Sequence, residues 1–312
     1  MPEYEASMRV AVVVPVRNGG EVWRRAATAI HQQRRRPDRV LVMDTESTDG
    51  SDAIAQACGF ELRRILARDF DHGGTRRLAA ELCSDCEVLV YLTHDAVLAD
   101  AQSLGRLLRA FEDPQVAVAY GRQLARPDAG PIEAHARLFN YPLTSARRTL
   151  ADAARLGLKA AFSSDSFCAY RRDALERVGN FPVRAIGSED MVVAARVLQG
   201  GMAVAYIGDA CVFHSHADTA MQELRRYFDI GVLHAQEPWL LRELGRPEGE
   251  GLRFVLSEIR YLLHRGPWLL PAAIMRTVGK LVGYRLGRAH ARLPLTWRLR
   301  LSMHRGFWSL GP

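Results

Sequence analysis

No secretory leader precedes the first apolar run. The five cysteines, at 58, 83, 86, 168 and 211, are odd in number and form no paired framework. A reducing, cytoplasmic setting is therefore expected, and a small disulfide-built scaffold is excluded. No stretch is apolar for long enough to span a bilayer, and neither an internal repeat nor a low-complexity tract is present. Lysine is scarce, so the excess of 42 basic over 35 acidic residues, a net charge of +7, is nearly all arginine. That excess suits phosphates or an anionic membrane surface. A nucleic-acid partner is not expected, because no binding module or aromatic and basic stripe accompanies the charge.

What is present is a globular α/β pattern in 312 residues, 48% hydrophobic and 25% charged, enough to bury a sizeable core. The run Arg9 to Val14 reads as a buried strand stopped by Pro15 and Arg17-Asn18-Gly19-Gly20. A helical period follows from Glu21 to Gln33, then a second strand, Val40 to Met43, ending at Asp44. The alternation continues with a helix at Ser51 to Cys58, a strand at Glu61 to Leu66, a helix at Gly74 to Leu82 and a strand at Val88 to Leu92. Such βαβ repetition predicts a mostly parallel, Rossmann-like sheet flanked by helices. Ser163 to Tyr170 fits a further strand, Asp173 to Val178 a short helix, and Ser188 to Gln199 a helix capped by Ser188. Cys83-Ser84-Asp85-Cys86 is a lone CxxC without a second zinc ligand pair, and is read as a helix end.

After Gly245 the pattern changes, and Pro247-Glu248-Gly249-Glu250-Gly251 marks a loop. The expected division is a main domain over residues 1–245 and an amphipathic helical extension over residues 246–312. The extension holds apolar helices near Leu252 to His264 and Trp268 to Leu286. The tail Trp297 to Trp308, with Arg298, Arg300 and Arg305 among aromatics, suits an anionic membrane interface. The same composition also fits a helical cap packed on the main domain.

In open α/β sheets ligands gather beyond the carboxyl ends of the strands, and there stand Asn18, Asp44 and Asp95. Asp44 is placed to accept a hydrogen bond from a base imide, or is an ordinary turn former. Asp95 is a hard oxygen donor that could hold Mg2+ or Mn2+ against a diphosphate. Glu189-Asp190 at a helix start supplies an exposed carboxylate able to deprotonate a hydroxyl, or simply favours the helix dipole. In His214-Ser215-His216, strand alternation would let at most one imidazole face a ligand, and His214 is taken as the metal partner of Asp95. Asp71-His72-Gly73-Gly74-Thr75-Arg76 would let backbone N–H groups approach an anion at the following helix, or is a plain loop-to-helix junction.

Taken together these segments resemble the family 2 glycosyltransferases, and among them the bacterial rhamnosyltransferases of polysaccharide and O-antigen synthesis. The resemblance rests on Val14 to Asn18, Asp44 to Gly50, Phe70 to Arg76, Leu92-Thr93-His94-Asp95-Ala96, Cys168 to Arg172 and Glu189-Asp190. Arg226 to Gly231 and Leu301-Ser302-Met303-His304 add to it. It implies a GT-A fold and an inverting transfer, with dTDP-L-rhamnose as donor and a lipid-linked glycan as acceptor, at the inner face of the membrane. Asp190 would be the general base, with Glu189 beside it. Asp95, with His214, would hold the metal, and Pro15, Arg17, Asn18, Asp44, His72, Gly73, Arg76, His94 and Asp95 would line the nucleotide sugar. Thr93 stands where the family often has a second aspartate. Glu46 is expected to face solvent or Arg17 rather than the diphosphate. The competing reading is a degenerate GT-A scaffold that recruits a polysaccharide assembly complex.

Overall fold

The structure is a computed structural model that describes residues 8–246 and 249–309; Pro247 and Glu248 of the expected loop lie outside the described residues. Nine strands form one sheet: β1 (Val10–Val16), β2 (Arg39–Asp44), β3 (Glu61–Arg64), β4 (Val88–Leu92), β5 (Val97–Leu98), β6 (Val116–Leu124), β7 (Ala146–Arg148), β8 (Phe167–Arg171) and β9 (Ala203–Phe213). Their order is β3-β2-β1-β4-β8-β6-β9-β5, with β7 also on β9. β8 runs antiparallel to both β4 and β6, which leaves β3, β2, β1, β4, β6 and β9 pointing one way. The sheet is thus mostly parallel with a reversed strand near its centre.

β1 and β4 are buried along nearly all their length because helices cover both faces. Their unbroken Val, Leu and Tyr runs are what a doubly covered parallel strand requires. Pro15 does not stop β1, contrary to expectation. Thr45 N donates to Val16 O at 2.8 Å, so Val16 faces β2 and Pro15 faces the other side. The ladder to β4 ends at Val13 on that side, and the missing N–H of proline breaks no bond.

The carboxyl ends of β1 and β2 are tied together. Asn18 N donates to Ser47 Oγ at 3.0 Å, Thr48 N to Asn18 Oδ1 at 2.8 Å, and Gly19 N to Ser51 Oγ at 2.9 Å. Asn18 reaches this position at φ 49°, a region that asparagine tolerates better than most side chains. Cys83 and Cys86 are buried free thiols at a helix end, and burial pushes Cys83 up to about 11, so neither is a ready nucleophile.

The long helix Leu270–Arg288 packs against the helix Ala220–Gln236. Its inner face is made of glycines: a Cβ on Gly283 would lie 2.1 Å from Leu224 O, and one on Gly287 2.0 Å from Phe228 O. Its outer face carries Ile274, Met275, Val278, Leu281 and Val282, all exposed. The helix therefore shows its large apolar side chains outward, the reverse of an ordinary soluble helix. The tail then folds back. Leu301, Phe307 and Trp308 pack against the main core, so this part of the expected membrane tail is a cap on the body, whereas Trp297 is exposed. Buried Asp229 holds the turn, its Oδ2 accepting from Met303 N at 2.8 Å.

Candidate active site

Four sequence-distant pieces converge beyond the carboxyl ends of the central strands. Asp44, at the end of β2, is buried, with Oδ2 accepting from Ser47 N at 3.2 Å. Its other oxygen, Oδ1, is shielded and has no hydrogen-bond partner among the described residues. A buried carboxylate oxygen left open is costly unless a donor arrives, and a base imide N–H is a donor of the right kind. Pro15 sits at the end of β1 and Arg17 is exposed just after it. His94 packs over the same loop, with Cδ2 3.1 Å from where a Cβ on Gly19 would stand. Glu46 is exposed and accepts from Ala67 N at 2.8 Å, so it engages the chain leaving β3 and not Arg17.

The second piece is Asp95 with two histidines. His214 Nε2 and His216 Nε2 each lie 3.5 Å from an Asp95 oxygen and 3.0 Å from one another, and the three residues form a compact group able to hold a metal ion. Both imidazoles face Asp95, which corrects the expectation that only one would. β9 ends at Phe213, so residues 214–216 are free of the strand alternation on which that expectation rested. His214 Nδ1 lies 2.9 Å from Gln123 Oε1. With that nitrogen donating to the amide oxygen, the Nε2 lone pair is left to face Asp95.

Burial lowers the His214 pKa against the pull of Asp95, and burial with the charge of His214 pushes His216 down to about 4. Burial opposes the charge on Asp95, yet bonding and charge from His214, with Thr93 and His216, hold it well below the usual carboxylate range. One anionic carboxylate and two neutral imidazoles converging lone pair to lone pair fit a divalent cation. Arg126, which the sequence did not single out, lies 3.1 Å from the Asp95 backbone O and 3.5 Å from its Oδ2.

The third piece joins this cluster to the acidic helix start. Gln123 Nε2 donates to Ser164 Oγ at 2.8 Å, and the N–H of the next residue, Asp165, donates to Asp190 Oδ2 at 3.2 Å. Two consecutive residues before β8 thus connect the metal-ready group to Asp190. Asp165 also accepts from Tyr170 OH at 2.6 Å. The polar run Ser163 to Ser166 was the signal for this role, but it reads equally well as the start of a strand, and the strand begins only at Phe167.

The fourth piece is Arg76, Asp165, Glu189 and Asp190. Arg76 is 6% exposed, with Nε 2.6 Å from Asp165 Oδ2 and Nη1 2.7 Å from Glu189 Oε1. Its guanidinium is turned to these two carboxylates, which corrects its assignment to a diphosphate. Three acids share one cation, and the acid left without an ion-pair partner takes the proton more readily. Burial and the charges of Asp165 and Glu189 push Asp190 up to about 8, while Arg76, against burial, holds Glu189 below its usual value. Glu189 is therefore a structural anion, and Asp190, at the surface of the cluster, is the acid free to exchange a proton.

Gly73 has a different role from the one its sequence suggested. A Cβ there would lie 1.8 Å from Pro182 O, so glycine is required by the close approach of another backbone segment. The first turn is already satisfied by Asp71, whose Oδ2 accepts from Gly74 N at 2.6 Å and Arg184 N at 2.9 Å. An anion site at this helix start is thereby corrected to a packed junction. Ser188 likewise does not cap the helix Glu189–Gln199; it sits at φ 56° and accepts nothing from the first turn. His72 stacks edge-on with Phe70 and His304, away from β1 and β2.

Comparison with known proteins agrees with this arrangement. Residues 11–179 match the sequence profile described as Glycosyl transferase family 2. The chain is 42% identical over 303 residues to the O-antigen chain rhamnosyltransferase RfbN of Salmonella typhimurium, covering 97% of this chain and 96% of that protein. It is 40% identical over 299 residues to the O-antigen chain rhamnosyltransferase WbaN of Salmonella anatum, covering 96% and 95%. Among solved structures it is similar to the mannosyltransferase PcManGT from Pyrobaculum calidifontis in complex with GDP-Man and Mn2+, at a TM-score of 0.58 and 19% identity, over 97% of this chain and 86% of that one. A likeness to S. aureus TarS 1-349 has a TM-score of 0.52 at 15% identity and covers 91% of each chain.

Proposed function

The chain belongs to glycosyl transferase family 2, and from that premise we propose that it transfers L-rhamnose from dTDP-L-rhamnose to a hydroxyl of a lipid-linked glycan, with inversion. The relatives named for rhamnosyl transfer support the sugar. The observation that carries the chemistry is Asp190, a carboxylate with a raised proton affinity, linked through Asp165 and Ser164 to a metal-ready Asp95, His214 and His216.

In this reading the open Asp44 Oδ1 accepts the thymine imide proton and fixes the base. Asp95, His214 and His216 would hold Mg2+ or Mn2+, and such an ion, when bound, neutralises the negative charge that the diphosphate gains as it leaves. Asp190 takes the proton of the acceptor hydroxyl as its oxygen attacks the anomeric carbon. The bond from that carbon to the diphosphate breaks on the opposite face, dTDP departs, and a single displacement inverts the centre. Titration calorimetry with dTDP-, UDP- and GDP-sugars, with and without Mn2+, tests the donor. Metal-dependent binding of dTDP-rhamnose is expected. Binding of another nucleotide sugar would discard rhamnose, and binding of none would return the scaffold reading.

The extension supports work at the inner face of the cytoplasmic membrane. No helix among the described residues is long and apolar enough to cross a bilayer. Residues 246–312 carry 12 Lys and Arg against 3 Asp and Glu, so all of the chain's positive excess lies there, beside the outward apolar face of Leu270–Arg288. That combination suits shallow burial among anionic headgroups. The protein is expected to sediment with phosphatidylglycerol vesicles and far less with phosphatidylcholine. A Met275→Glu, Leu281→Glu double variant should stay in the supernatant, and its undiminished sedimentation would count against this face.

A further inference from the structure

A cavity of about 800 Å3 lies on the far side of Asp190 from the metal-ready group's histidine partners, in a part of the molecule given no role above. Phe70 and His72 form one wall, Arg184 stands at another, and His304, Phe307 and Trp308 of the returning tail close it. Its volume falls within the range of about 300–1,000 Å3 that ligand pockets occupy. His72 and His304 meet edge to face at 4.6 Å between ring centres. His304 Nε2 would lie 3.5 Å from a Cβ on Gly187, so the cavity borders the loop that leads into Glu189-Asp190.

The tail wall is built, not draped. Asp229 holds Met303 N, and Trp308 is packed between Phe307 at 5.0 Å, Phe228 at 6.4 Å and the Arg298 guanidinium at 5.5 Å. The Trp308 Nε1 donor is shielded and has no hydrogen-bond partner among the described residues, so a hydroxyl that reached it would satisfy an open group. Burial keeps the neighbouring rings neutral, pushing His72 down to about 4 and lowering His304 as well. The wall therefore offers flat apolar faces with polar edges beside the carboxylate that must meet a hydroxyl. A pyranose ring has the complementary form, with C–H bonds on its faces and hydroxyls around its rim.

We propose that this cavity is the acceptor site, where a terminal sugar of the glycan stacks on the aromatic wall of Trp308 and Phe307 and presents a hydroxyl to Asp190. The assignment rests on the transferase reading and adds that the last residues of the tail are part of the working site. Full-length protein with dTDP and Mn2+ is to be titrated with p-nitrophenyl glycosides of glucose, galactose, mannose and rhamnose, followed by saturation-transfer NMR. At least one glycoside should bind with its ring face nearest the protein. Trp308→Ala, and from the opposite wall Phe70→Ala, should each weaken it about tenfold, as loss of an aromatic platform does, with the dTDP-rhamnose Kd unchanged. Retention of that Kd shows that a variant has folded, and the two walls provide independent tests. The assignment is overturned if no glycoside binds to protein that takes the donor normally, or if both variants hold the glycoside as tightly as the parent. Glycoside bound through Trp308 by a chain that takes no donor would support the cavity and overturn the transferase reading, so the two failures are distinct.

Discussion

An Asp190→Asn enzyme is expected to bind dTDP-rhamnose as tightly as the parent and to transfer it about 10²–10⁴-fold more slowly, the usual contribution of a positioned general base. The amide keeps the shape and can still meet the Asp165 N–H through its oxygen, but it accepts no proton from the acceptor. In the parent, kcat should rise with pH through about 8, the value to which burial, Asp165 and Glu189 push Asp190, with Arg76 the opposing charge nearby. The sign follows from the role: a base works deprotonated, so activity is low below this pKa and reaches a plateau above it. In Asp190→Asn that rise should vanish. A variant that kept both its rate and its pH dependence would place the base elsewhere.

Replacing Arg76 by Met is expected to cost stability rather than chemistry alone, about 3–5 kcal/mol, because it leaves two buried carboxylates without their cation. Asp165 and Glu189 are 4% and 5% exposed, and neither has water to turn to. Without Arg76 their pKa values should rise above those of the unfolded chain. Stability from such groups is present at low pH and lost as pH rises through the raised values, so the deficit should be larger at pH 8 than at pH 5. Urea unfolding at both pH values measures it. A loss under about 1 kcal/mol, the level of an exposed pair, would mean that the cluster is better hydrated than its burial indicates.

The parallel half of the sheet was legible because its strands are unbroken apolar runs separated by loop residues, and periodicity reads such runs directly. Asp44, Asp95, His214 and Asp190 were legible for a related reason: each ends or begins an element, where the topology places a ligand. β6 and most of β9 were not, and with them Gln123, whose value depends on His214, 91 residues away. His216 was misjudged because the strand was assumed to continue past Phe213. Gly73 and Arg76 show a limit of another kind. Both sit in a sequence that looks built for an anion, yet Pro182 and two carboxylates occupy the space, and nothing local announces partners more than 80 residues on.

The reversed strand β8, wedged between β4 and β6, has a consequence for how the enzyme comes into being. A chain leaving the ribosome can assemble β1, β2, β3 and β4 early, since their contacts are near in sequence and domains grow from the N-terminal side. The sheet then has to wait. β8 must slot between β4 and β6 to bring Ser164 and Asp165 into line, and the imidazoles of 214 and 216 follow later still. A nascent chain therefore carries a nearly finished scaffold but no assembled chemistry, and the aromatic wall at 307–308 docks last of all. Synthesis itself thus postpones the ability to bind and spend a nucleotide sugar until the chain is almost fully made.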